Sequence, residues 1–382
     1  MKITSVAKEH SFINLFRAIA AFWVLTAHCM IWGGWYGLPL PSAKIAVDLF
    51  MLISGYLMAA SAISRQEKEP LNKLNSWLRF YNRRFFRIAP AYYVSLILAV
   101  LAGEYFLNGY ILLQALNPVL WGEGGVYDPS RIEYTPTNIL LHISFLFGLH
   151  PQWSFSTFLP DWSLSLEMQF YFVFPMLMLL MLRMGYIKIA VLVCAISIPS
   201  GLAINQYAHY YEPSLLLFKL QYFIAGILIY SITSTKKRPY SRLAMLFCAL
   251  GLVSFETQYG KELIVEPAIL FSMVWLGWLE RKNKTPKILS KLMNSRLVRM
   301  ASNLSYGVYL THGFFIAAFG YLVTNQPILL QLTPMERVGV MFIFVTVMAY
   351  TAGYMMYRWI EIPGIKLGRF FNKKWLAHGC KA

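Results

Sequence analysis

The chain has 382 residues, 58% of them hydrophobic and only 13% charged, with a mean hydropathy of +0.51. Soluble domains carry about a quarter charged residues, so the composition excludes a soluble globular protein and defines a polytopic membrane protein. The 34 Lys and Arg against 17 Asp and Glu give a formal charge of +17. In so apolar a chain this fits basic loops held on one membrane face beside anionic head groups. Membrane lipid is therefore an expected partner and nucleic acid is not.

Apolar runs long enough to cross a bilayer fall near 12–32, 43–63, 88–107, 161–182, 188–205, 214–234, 242–256, 263–279, 304–324 and 337–359. The expected fold is thus an all-α bundle of about ten transmembrane helices. In the first span Arg17 and His28 are eleven residues apart. On a helix that separation is about three full turns and roughly 16 Å, so both side chains share one face. Ionisable groups at membrane depth are costly and face a bundle interior or a watery cavity. The second span carries Asp48 near its start and the pair Ser54-Gly55, where the small residues suit close helix packing.

Before the third span lies Tyr81-Asn82-Arg83-Arg84-Phe85-Phe86-Arg87-Ile88-Ala89-Pro90. Arg84 and Arg87, three apart, share a helix face, and guanidinium forks suit phosphate. The alternative is ordinary anchoring to head groups. Between the third and fourth spans, residues 108–160 form the longest connection, with Glu123, Asp128, Glu133 and many aromatics, and Asp161 just after it. It suits an external lid or acceptor platform. Its apolar run 139–149 is too short to cross and reads as a re-entrant or interfacial helix.

The fourth span opens with Asp161-Trp162-Ser163-Leu164-Ser165-Leu166-Glu167 and continues to Tyr171. Ser163, Glu167 and Tyr171 are spaced by four and make one polar stripe, fit for a site or for interhelical hydrogen bonds. His28, Asp48 and Glu167 are expected at one depth. There a carboxylate can hold one imidazole nitrogen while the other takes a proton. The alternative is that the three groups pair with one another or with backbone to lock helices together. In the ninth span Ser305, Tyr309 and His312 fall on one face, and His312 reads first as a bundle histidine satisfied by its neighbours.

With 139–149 not crossing, about 28 of the 34 basic residues fall on one side. Only Lys44, Arg131, Lys261 and Arg337 fall on the other. The positive-inside rule then places both termini in the cytoplasm. The four cysteines, Cys29, Cys194, Cys248 and Cys380, give no disulfide framework, and no pair has metal-ligand spacing, so no metal is expected. No cleavage site follows the first apolar run, which reads as a retained span. No internal repeat or appended soluble domain is apparent, so residues 1–382 read as one transmembrane domain.

Taken in order, these pieces resemble the acyltransferase family 3 membrane proteins, which O-acylate glycans. Arg17 to His28 is similar to the family's Arg, ten residues, His motif. Val47-Asp48-Leu49-Phe50-Met51-Leu52-Ile53-Ser54-Gly55-Tyr56 resembles its second-span signature, with Tyr56 where Phe is usual. Arg84-Phe85-Phe86-Arg87 resembles its Arg-x-x-Arg. Trp162-Ser163-Leu164-Ser165-Leu166-Glu167 resembles its Trp-Ser-Leu-x-x-Glu, with Met168 where a second Glu is frequent. Ser305-Tyr306-Gly307-Val308-Tyr309-Leu310-Thr311-His312 resembles its late Ser-Tyr-x-x-Tyr-x-x-His, and Glu361-Ile362-Pro363 its closing Glu-x-Pro.

The resemblance implies a bacterial inner-membrane O-acyltransferase, with acetyl the expected group. Cytoplasmic acyl-CoA would be the donor substrate, with no permanently bound cofactor. It implies Arg84 and Arg87 on the donor's phosphates and Arg17 guiding it inward. Ser163, Tyr171, Tyr309 and His312 would complete the binding face. His28 would act as general base or acyl carrier, with Asp48 or Glu167 orienting it. The acceptor would be a glycan or lipid-linked glycan, reached directly or through a separate extracytoplasmic transfer protein. Two rivals stand beside it. A transporter or flippase would also carry intramembrane Arg, His and carboxylates, but usually with internal repeats. A lipid-phosphate glycosyltransferase would be expected to carry acidic residues in the first outer loop, and 33–42 has none.

Overall fold

A computed structural model describes residues 10–35, 40–117, 132–234, 238–254 and 262–374. Among these residues the fold is helical, with no strand. The helices are α1 (Ser11–Gly33), α2 (Ala43–Arg65), α3 (Leu74–Ala115), α4 (Pro136–Ile143), α5 (Trp162–Met184), α6 (Tyr186–Tyr207) and α7 (Leu216–Ser234). They continue with α8 (Pro239–Ser254), α9 (Glu262–Arg281), α10 (Lys287–Met293), α11 (Arg296–Asn325), α12 (Pro327–Leu330) and α13 (Pro334–Met356). A π-helical turn, Tyr357–Glu361, joins α13 to α14 (Ile362–Lys374).

Each of the ten expected spans is a helix. Eight helical runs are long and apolar enough to cross a membrane: α1, α2, α3, α5, α6, α7, α11 and the continuous α13–α14 run. The shorter α8 is also apolar, and α9 carries Glu266. The chain is therefore a multi-pass membrane protein. The 139–149 region is the eight-residue α4 followed by a 3-10 turn at Phe147–Leu149, too short to cross. Lys2, Lys8, Glu123, Asp128, Arg131, Lys236, Lys237, Lys261, Lys381 and Cys380 lie outside the described residues.

Three helical runs, α3, α11 and α13–α14, extend well beyond their apolar runs. The 42-residue α3 bends at Ala102, whose φ of −128° and ψ of 18° leave the helical region. It begins well ahead of its apolar core, so Arg83, Arg84 and Arg87 sit on the helix rather than in a loop. Helix α13 starts with a capping box at Thr333 and Glu336; each satisfies a backbone N–H of the other.

Packing follows the physics of helices in lipid, where association rests on close fit and small residues. A Cβ on Gly55 of α2 would lie 2.0 Å from the Phe223 carbonyl oxygen of α7. One on Gly226 of α7 would lie 2.1 Å from the Leu52 oxygen of α2. The two backbones touch, which answers the Ser54-Gly55 pair in the sequence. Around this seam Tyr56 packs edge-on against Phe12 and Tyr230, with ring centroids 5.4 and 5.5 Å apart; such pairs contribute about 1 kcal/mol each beyond burial.

Helices α1 and α11 run parallel. Asn14 accepts from Ser302 at 3.2 Å, Arg17 donates to Ser305 at 3.1 Å, and His28 meets His312 at 2.8 Å. Pairs at the ends respect the expected alternation. Ser11 meets Glu280, and Arg281 donates to the Thr233 carbonyl, at one end. At the opposite end Lys44 pairs with Glu212 and Arg337 with Asn117.

Candidate functional site

Helix α3 sorts its arginines by direction. Arg83 donates to both oxygens of Glu69 at 2.9 and 2.6 Å, a bidentate pair that ties α3 to the connection from α2. Arg84 and Arg87 instead line a cavity. Arg84 lies over the rings of Phe80 and Tyr171, at 5.5 and 5.8 Å from their centroids. From α1, Arg17 enters the same cavity, held by Ser305. All three guanidinium groups are half-buried. Among the described residues, no carboxylate stands within ion-pair distance of them.

The rest of the wall comes from α2, α5 and α11. Glu167 accepts from Ser54 Oγ at 2.9 Å and also from the Tyr171 hydroxyl. Ser163 Oγ and Tyr309 Oη lie 2.8 Å apart, and Tyr309 donates to the Pro160 carbonyl. With Phe50, Ile53, Leu57 and Met58 these residues enclose about 740 Å³ of empty space, counting the open mouth. The lining thus has three cations and one carboxylate on an apolar background. Glu361, 6% exposed in the π-turn, adds a field felt by Arg17 and Arg87 from outside the wall. The arrangement suits an anionic ligand with several acceptor oxygens and an apolar extension.

Along α1 from Arg17, about 16 Å away by helical rise, half-buried His28 brings Nδ1 to 2.8 Å from Nε2 of the buried His312. His312 Nδ1 faces the Tyr309 and Val308 carbonyls at 2.8 and 3.2 Å. Neither histidine lines the cavity. Tyr309 does, and its ring centroid lies 6.1 Å from that of His312. The structure therefore brings Arg17, Arg84, Arg87, Ser163, Glu167, Tyr171 and Tyr309 together, with His28 and His312 as a pair beside Tyr309.

The expected pairing of His28 with a carboxylate is not what the structure contains. Asp48 is turned toward α7, where Lys219 Nζ lies 3.1 Å from each of its oxygens. Both are buried, as is neighbouring Glu266, which accepts from Tyr222 at 2.7 Å. Glu167 lies in the arginine cavity and not level with His28. The reason is local. Residues 156–161 pack inside, with Phe158 and Leu159 each 1% exposed, and Ser163, just after them, meets Tyr309, one turn before His312 on α11, so Glu167, a further turn along α5, lies beside Ser54 and the arginines. Lys219 escaped the sequence reading. The signal was available, because with Arg17 it is one of the two basic residues left over when the loops are assigned.

The inserted strap has its own buried pair. Asp161 accepts from Tyr92 at 2.9 Å, and His142 Nε2 lies 3.7 Å from the same oxygen. Burial pushes the His142 imidazole down to about 4, against the Asn138 carbonyl bound at Nδ1.

Comparison with known proteins agrees with these motifs. Residues 10–354 match the family model described as Acyltransferase domain, Acyl_transf_3, and the chain belongs to that family. Over 170 residues it is 31% identical to a candidate membrane-bound transacylase, BcsY, of Komagataeibacter xylinus, a match covering 41% of this chain and 34% of that protein. The chain thus spans about a third of the length of the curated relative it matches. No solved structure matches.

Proposed function

We propose that this protein is a membrane O-acyltransferase that moves a short acyl group, acetyl in the first instance, from acyl-CoA to a sugar hydroxyl of a surface glycan or its lipid-linked precursor. The observation that carries the reading is the convergence of Arg17, Arg84 and Arg87 on one cavity without ion-pair partners among the described residues. Phosphates of the donor answer that charge. The apolar side formed by Phe50, Ile53, Leu57 and Met58 suits the pantetheine arm, which runs along α1 toward His28.

In this reading His28 takes the proton of the acceptor hydroxyl as its oxygen attacks the thioester carbonyl. The new C–O bond forms, the C–S bond breaks, and the CoA thiolate leaves and is reprotonated. The protein works in a bacterial inner membrane, both termini cytoplasmic, with the region near 108–160 facing the acceptor. Family membership and the candidate transacylase relative support the reaction class.

The test is mass spectrometry of surface glycans from a deletion strain complemented with wild type or His28→Ala at equal membrane levels. Loss of an acetyl-sized increment, restored by wild type and not by the variant, is the expected result. Unchanged acylation with reduced total glycan would overturn the reading in favour of a flippase.

A further inference from the structure

The contact between His28 and His312 fixes more than a position. The Val308 and Tyr309 carbonyls that face His312 Nδ1 only accept hydrogen bonds. His312 Nδ1 must therefore carry a proton. His312 is 1% exposed, and among the described residues no carboxylate stands within ion-pair distance of it. A charged imidazolium there would be buried without a counter-ion, at high cost. The ring is then neutral, and a neutral ring protonated at Nδ1 has a bare Nε2. That Nε2 is the atom 2.8 Å from His28 Nδ1, so His28 must be the donor and must carry its proton on Nδ1. Its own Nε2 is left bare.

We infer that His312 is a positioning residue that holds His28 in the Nδ1–H tautomer, leaving His28 Nε2 as the proton-accepting atom. The kinetic side of this inference rests on the acyl-transfer reading above; the tautomer itself does not. In the reaction the acceptor hydroxyl gives its proton to His28 Nε2. The resulting imidazolium keeps its Nδ1–H on His312, whose other face is braced by the two carbonyls. The same Nε2 proton then passes to the departing thiolate, and the pair returns to its starting state. A neutral imidazole thus does the orienting for which the sequence pointed to Asp48 or Glu167. Tyr309 connects this device to the cavity, because its carbonyl braces His312 while its hydroxyl bonds Ser163 in the cavity wall.

Two measurements test it. The first uses wild-type protein in lipid bilayers, labelled with 15N in the histidine rings, with His28 signals assigned by their loss in His28→Gln. The expected spectrum has both His28 and His312 protonated at Nδ1 and bare at Nε2. A proton on His28 Nε2, or on His312 Nε2, overturns the inference whether or not the protein transfers acyl groups. The second compares His312→Gln with His312→Leu at equal folded levels, assaying acetyl transfer from acetyl-CoA. Gln places an amide oxygen where Nε2 stood and should hold kcat within about tenfold of wild type, while Leu should lower kcat on the order of 100-fold with little change in KM for the donor. Equal kcat for Leu and wild type, or equal loss for Gln and Leu, overturns it.

Discussion

Two charged clusters occupy the interior of this bundle, and they are built in opposite ways. At the α2–α7 seam, Lys219 is answered by both oxygens of Asp48, all of it buried and closed by tight packing at Gly55 and Gly226. Around α1, α3 and α5, Arg17, Arg84 and Arg87 face an open cavity with Glu167 as the lining carboxylate. A paired, desolvated ion locks helices together. Cations held half-buried at a cavity wall, without ion-pair partners among the described residues, keep their electrostatic demand for something else. The difference separates structural charge from charge reserved for a ligand, although both look alike as ionisable residues in apolar spans.

The comparison is broken most directly at the closed cluster. Lys219→Met leaves Asp48 as an uncompensated buried charge and should cost about 3–5 kcal/mol. This is read as a lower thermal midpoint in detergent, and adding Asp48→Asn should recover much of it. A Lys219→Met protein as stable as wild type would remove the seam's structural role.

A smaller effect concerns the strap's neighbour. The His142 imidazole, lowered from 6.5 to about 4 by burial, contributes stability present above about 6.5 and lost as pH falls through about 4. His142→Gln removes this contribution, so the variant's stability should fall less steeply than that of wild type as pH drops across that window, by roughly 1 kcal/mol per pH unit. Thermal unfolding at a series of pH values checks this, and a variant with the wild-type pH slope would contradict the assignment.

Much of this organisation was legible in the sequence. The apolar runs placed ten helical segments, and eight helical runs are long and apolar enough to cross a membrane, because in lipid each segment must satisfy its own backbone. Helical periodicity grouped Arg84 with Arg87 and Ser163 with Glu167 and Tyr171, and these groups do share the cavity. What failed was depth and pairing. Similar distances from the outer end of each apolar run implied that His28, Asp48 and Glu167 were level, but Ser163 meets Tyr309 and Glu167, a turn farther along α5, reaches Ser54. Lys219, which decides the direction Asp48 faces, is remote in sequence from it, and no periodicity links the two. His312 was visible as one of a face of three, yet its pairing with His28 depends on how α1 and α11 lie side by side, a tertiary fact.

The account turns on the open cluster being a site for the phosphates of acyl-CoA. The most direct measurement is titration of CoA into purified wild-type protein, Arg84→Ala, Arg87→Ala and the Lys219→Met/Asp48→Asn double variant, each checked for folding. Each lost guanidinium contact to phosphate is worth about 1.5–3 kcal/mol, so the arginine variants should bind roughly 10- to 150-fold more weakly while the double variant binds like wild type. CoA binding that is absent from wild type, or unchanged in both arginine variants, would contradict the account.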